Sequence, residues 1–134
     1  MNTYIPKFFY KKYDGGKESG VTGYFLIEWK KFFSVGILRF NTGSRLSYHS
    51  HAFNALTFFL TGRVTEVKLS GEMKQFGPSI WPKFTPRSNV HRVLAHKVTY
   101  ALTFRGPWED TWYEVNKDGV TVLTHGRKVV EKIT

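Results

Sequence analysis

Hydrophobic and polar residues exchange places quickly along this chain. The clearest alternation is Val98-Thr-Tyr-Ala-Leu-Thr-Phe104. There Val98, Tyr100, Leu102 and Phe104 fall on one face of a strand, and the small Thr99, Ala101 and Thr103 fall on the other. Large side chains on one face and small ones on the other suit a strand packed on a second sheet beside a cavity. Short stretches of β-branched and aromatic residues, punctuated by Gly and Pro, predict more strands. The pattern places strands at residues 25–29, 33–41, 48–53, 55–61, 63–69, 79–83, 90–96, 98–104, 111–115 and 120–123. Asn116-Lys-Asp-Gly119 reads as a hairpin turn, because an Asp-Gly pair accommodates positive φ. Residues 1–23 read as an N-terminal arm and loop, and residues 126–134 as a short charged helix or a frayed tail. Many short strands with almost no helix predict an all-β antiparallel sandwich or barrel.

Composition narrows the class. The 134 residues are 41% hydrophobic and 17% aromatic, enough for one core and too few for two ordinary domains. Residues 1–134 therefore read as a single domain. No apolar run approaches the roughly 20 residues that span a bilayer. Met1-Asn-Thr-Tyr-Ile-Pro-Lys7 lacks the basic start and apolar segment of a secretory signal. A cytoplasmic protein with no membrane partner is the expectation. The absence of cysteine excludes disulfides, thiolate metal sites and a cysteine nucleophile.

Twenty Lys and Arg against ten Asp and Glu give a net charge of +10. That balance opens nucleic acid as a partner class, since basic groups displace counterions from phosphate backbones. The cations are scattered, however. Lys11-Lys12, Lys30-Lys31 and Arg127-Lys128 are the only adjacent pairs, and no reading helix or base-stacking motif is visible. A solvated basic surface is the favoured account of the charge. The aromatics of residues 4–10 (Tyr-Ile-Pro-Lys-Phe-Phe-Tyr) offer a segment that would cross to the sheet edge of a second copy in a homodimer.

The histidines carry the chemistry. His49 and His51 stand two residues apart in a predicted strand, so the pleat puts both imidazoles on one face at a spacing that grips one ion. A third ligand has to come from another strand, and His91 opens the strand that follows a Pro-containing loop. His96 lies an odd number of residues from His91, on the opposite face, and His125 follows the last strand; both read as surface residues.

These residues resemble the cupin superfamily. Its first motif is Gly, five residues, His, one residue, His, three or four residues, Glu, six residues, Gly. Gly43, His49, His51 and Gly62 match it at every spacing, with Ala55 where the motif has Glu. The second motif has Pro, one residue, Gly, two residues, His. Pro86 and His91 match, with Ser88 in place of Gly, Gly77 three residues early and Ala95 where the family has Asn. The resemblance covers residues 43–95 by motif. It implies a double-stranded β-helix, or jelly-roll barrel, holding a three-His metal site of His49, His51 and His91. Imidazole ligands suit one divalent transition metal, with Fe first and Zn, Ni or Cu as alternatives. Without the carboxylate the site is one unit more positive, which favours an anionic small molecule as its ligand.

Further site residues follow. Glu66, on the next strand, is read as a late metal ligand or an acid/base group, and Tyr100 as a second group able to move a proton. Arg105, fourteen residues after His91, resembles the basic residue that holds a cosubstrate carboxylate in the 2-oxoglutarate oxygenases, which share the double-stranded β-helix. That family has a carboxylate where this chain has His51, and an Arg facing water at a strand end is an equal alternative. Trp108 and Trp112 are read as covering the barrel mouth rather than walling a pocket. The expected function is a metal-dependent enzyme, dioxygenase-like first and isomerase or hydrolase second, acting on a small anionic molecule. A non-catalytic cupin module and a nucleic-acid-associated basic protein are the rivals.

Overall fold

The structure, a computed structural model, describes residues 5–14, 20–43, 48–117, 119–124 and 127–133. Its regular elements are β1 (Lys7–Tyr13), β2 (Val21–Trp29), β3 (Phe33–Phe40), β4 (Tyr48–His49), β5 (Ala55–Phe59), β6 (Arg63–Lys68) and β7 (Met73–Phe76). They continue with β8 (Lys83–Thr85), β9 (His91–Lys97), β10 (Thr99–Arg105), β11 (Thr111–Asn116), β12 (Gly119–Thr124) and β13 (Lys128–Ile133). One sheet has the order β1-β2-β3-β10-β5-β8 and the other β13-β12-β11-β4-β9-β6-β7, each antiparallel throughout. From β3 onward the chain steps repeatedly between the sheets, which is the winding of a double-stranded β-helix. No helix among the described residues is long and apolar enough to cross a membrane.

The core lies between the sheets. Phe59 and Ala101 of the first meet Val64 and Ala95 of the second, with Phe40, Phe76 and Val93 packed around them. β10 sits centrally, with Leu102 paired to Ile37 on one side and Phe58 on the other. Its small residues Thr99, Ala101 and Thr103 turn inward, while Tyr100 and Phe104 face out. An inward row of threonine and alanine cannot fill the space between two sheets. A cavity of about 450 Å³ remains, lined from both sheets. Gly62, at φ +82°, brings the β5–β6 turn against β10: a Cβ there would stand 2.1 Å from Thr99 Oγ1. Only glycine meets both demands.

The structure differs from the sequence reading at four elements. Residues 7–13, read as part of an arm, form β1 and pair with β2 from Lys7↔Glu28 to Tyr13↔Thr22. Residues 128–133 form β13 on β12, not a helix or tail: the segment adds by backbone pairing to the free edge of the β11–β12 hairpin, with its side chains exposed. The strand expected at 79–83 is β8 at Lys83–Thr85, since Pro82 lacks an N–H and both Ile80 and Trp81 point into solvent. β7, Met-Lys-Gln-Phe, has no apolar alternation to announce it; it exists by pairing with β6. His125 lies outside the described residues.

Candidate metal centre

β4 has two residues, yet it is fixed from both sides, with His49 paired to Glu114 of β11 and to His91 of β9. That register sets the His49 and His91 rings 4.9 Å apart. The strand ends there, short of the predicted residue 53. Ser50 holds the chain's course by exchanging hydrogen bonds with the backbone of Tyr113, its own N–H donating and its hydroxyl accepting. His51 then lies 4.9 Å from the His49 ring and 5.0 Å from the His91 ring.

One ring nitrogen from each histidine lies within 4.8 Å of the other two, and His51 Nε2 stands 3.0 Å from His91 Nε2. Imidazole nitrogens each about 2.1 Å from one ion are roughly 3.0 Å apart at a right angle and about 3.4 Å apart at the tetrahedral angle. The His51–His91 pair stands at that spacing, and the His49 nitrogen lies within 4.8 Å of both, so the three rings offer a transition metal an all-imidazole donor set. Burial, and after it His49 and His91, hold His51 well below the usual histidine range. Its ring is therefore neutral at pH 7 and keeps a lone pair for a ligand bond.

Glu66 does not join the three rings. Its buried carboxylate lies behind His91, where Oε2 accepts the Nδ1 proton at 2.5 Å. The same oxygen accepts from Lys83 Nζ at 3.0 Å and Asn89 Nδ2 at 2.9 Å. Burial pushes this carboxyl up, but the bonds and charges of His91 and Lys83 outweigh it and hold it at about 2. Glu66 thus fixes the tautomer of His91 that turns Nε2 toward His51, the carboxylate–histidine arrangement that orients metal ligands. The structure places Glu66, expected as a late ligand or an acid/base group, on the Nδ1 side of His91 rather than among the three ring nitrogens. Lys83 and Asn89 were not singled out from the sequence, although Asn89 stands at i−2 from His91 and so shares its face.

Arg105 is inside, on the small face of β10, but its fork is taken. Nη1 and Nη2 donate to the two carboxylate oxygens of Asp14 at 3.0 and 2.6 Å, and the guanidinium lies over the rings of Phe53 and Phe25 at 4.4 and 5.2 Å. Burial raises the Asp14 carboxyl, yet Arg105 outweighs it and holds the group well below the usual carboxylate range. The carboxylate that Arg105 grips is the chain's own. No sequence signal links residues 91 positions apart. Tyr100 faces out from β10, away from the cavity that Thr103 and Arg105 line. His96 also points away from the centre, its Nε2 2.6 Å from Thr65 Oγ1. Trp108 and Trp112 cover Ala52, Phe53 and Ala55 and also line the cavity. They are wall and cover at once.

No protein-family model matches the sequence, and no curated protein matches it. Solved structures do match. An RmlC-like cupin from Shewanella frigidimarina is 15% identical, with a TM-score of 0.55 over 71% of this chain and 81% of its own. The polyketide cyclase RemF from Streptomyces resistomycificus is 20% identical, with a TM-score of 0.57 over 71% and 72%. A putative ethanolamine utilization protein Q from Salmonella typhimurium is 13% identical, with a TM-score of 0.59 over 73% and 78%. Likeness at such identities speaks for architecture rather than chemistry. Thirteen strands among the described residues, in two antiparallel sheets wound as in these proteins, give this chain the cupin fold.

Proposed function

We propose that this chain is a metal-dependent cupin enzyme, dioxygenase-like, acting on a small anionic molecule at His49, His51 and His91. The observation that carries the reading is the convergence of three ring nitrogens within 4.8 Å at the wall of a cavity of about 450 Å³. That volume suits a small metabolite. A divalent ion bound there supplies Lewis-acid polarisation, and iron adds electron transfer with oxygen. The chain's own residues do the rest. Glu66 keeps the proton of His91 on Nδ1, and Lys83 and Asn89 keep Glu66 in place. Phe53, Trp108 and Trp112 exclude water from one wall. Among the described residues, six cationic side chains line the cavity against three acids, which favours an anionic guest.

Oxygen uptake after anaerobic loading with Fe(II) tests this reading, with a panel of small carboxylic acids as substrates. Uptake that needs both iron and one of the acids, and disappears in His51→Ala, is the expected result. Tight metal binding with no acid-dependent uptake on any acid would return the chain to a non-catalytic metal-binding module.

A further inference from the structure

The cavity has a second pole, remote from the histidines in chemistry and built by a distortion of the sheet. The β2–β3 register shifts between Phe25 and Ile27, so Phe25 and Glu28, three residues apart, both turn inward. Opposite that bulge Phe9 of β1 adopts a left-handed conformation at φ 50°, which a bulky residue rarely does. The change of parity lets Lys7, Tyr10 and Lys12 all border the cavity. Strain of this kind gathers at ligand sites.

What the distortion turns inward is charge. Trp108 carries Lys30 Nζ at 4.4 Å and Lys12 Nζ at 4.9 Å from its ring centre, and Lys7 stands over Tyr10. The acid set among them is Glu28, fully buried, which binds both Lys12 and the Tyr10 hydroxyl. Asp14 is committed to Arg105. Among the described residues, the three ammonium groups of Lys7, Lys12 and Lys30 gather around the one carboxylate of Glu28 at this end of the cavity. Burial, and after it Lys12, lowers the Lys30 pKa, with Lys7 adding to the effect against Glu28. From Trp108 an aromatic wall runs to the histidines: Phe53 lies 5.2 Å from Trp108 and 5.3 Å from His51.

We infer that Lys7, Lys12 and Lys30 around Trp108 form an anion-head site, and that the cavity takes a molecule with an apolar, preferably aromatic, body and one anionic head. The head sits among the lysines and the body lies along Trp108 and Phe53. Its far end then faces His51. That orientation rests on the proposed role of the histidines; the head site does not. The site replaces Arg105 as the anchor for the ligand's charge.

Calorimetry with 1-naphthoate, 1-naphthyl phosphate and the neutral 1-naphthamide tests the inference on the full chain without metal. Both anions are expected to bind at least about tenfold more tightly than the amide, the tighter of the two naming the head group. Lys30→Met keeps the aliphatic stem over Trp108 and removes the charge, so it should abolish that preference while leaving the amide's affinity unchanged. Lys30→Arg should restore it, and Lys74→Ala, the same charge change at an exposed site, should leave it intact. Equal affinity of the parent for anions and amide, or a preference that survives Lys30→Met, overturns the inference. The His49→Ala/His51→Ala double variant should keep the preference, so a failure of the metal reading alone would leave this result standing.

Discussion

Replacing Glu66 by Gln keeps the size of the side chain and removes one charge from a site that is 3% exposed. The parent carboxyl stands at about 2 instead of 4.5. A difference of that size corresponds to about 3 kcal/mol of folding free energy, with little solvent screening at such burial. A carboxyl lowered by folding stabilises the protein above its unfolded pKa, about 4.3 for Glu. That stability is lost as the pH falls from there through about 2. The gap between parent and Glu66→Gln, measured by urea unfolding of the metal-free proteins, should therefore be about 3 kcal/mol at pH 7 and narrow steadily below pH ~4. The substitution also loosens His91, because an amide cannot accept from His91, Lys83 and Asn89 with the strength of a carboxylate. Metal affinity, read by competition with a chelator, should fall about 10- to 100-fold. A variant with the parent's metal affinity, or a stability gap that does not change with pH, would refute the placement of Glu66 behind His91.

Asp14→Asn leaves the buried Arg105 fork without its carboxylate and should cost about 3–5 kcal/mol at pH 7 in the same unfolding assay; a loss below 1 kcal/mol would show the pair to be dispensable. Gly62→Ala forces a left-handed alanine onto Thr99 and should cost at least about 2 kcal/mol, and an unchanged unfolding midpoint would contradict the tight β5–β6 turn. Tyr100→Phe, on the outer face, should stay within about 0.5 kcal/mol of the parent and keep its metal content, so a loss of metal would place that hydroxyl at the centre after all.

Local signals made much of the architecture legible. The alternation through residues 98–104 and the hairpin of β11 and β12 correspond to observed elements, as do most of the other expected strands, and Gly43, His49, His51, Gly62 and His91 stand at cupin spacings. What stayed hidden is what pairing alone decides. β7 and β13 lack an alternation of apolar and polar residues and become strands because neighbours offer free edges. The inward turn of Glu28 and Lys7 depends on a bulge at Leu26, and no alternating pattern foretells a change of parity. Arg105 shares the inward face of β10 with Ala101 and Thr103, as the parity of the strand requires. Its partner Asp14 comes from the other end of the chain, and a charge pair of that separation leaves no trace in a single sequence. Glu66 was a named residue whose role turned on which side of His91 it occupied, a matter of the β6–β9 register.

Elemental analysis tests the central claim most directly. The protein is purified without a histidine tag or chelators, beside the His49→Ala/His51→Ala double variant, and each is assayed for transition metals. About one iron, nickel, zinc or copper ion per parent chain and none in the variant is the expected result. A parent that carries no metal and takes up none when it is added, or a variant that retains the parent's metal, would contradict the assignment of His49, His51 and His91 as its ligands.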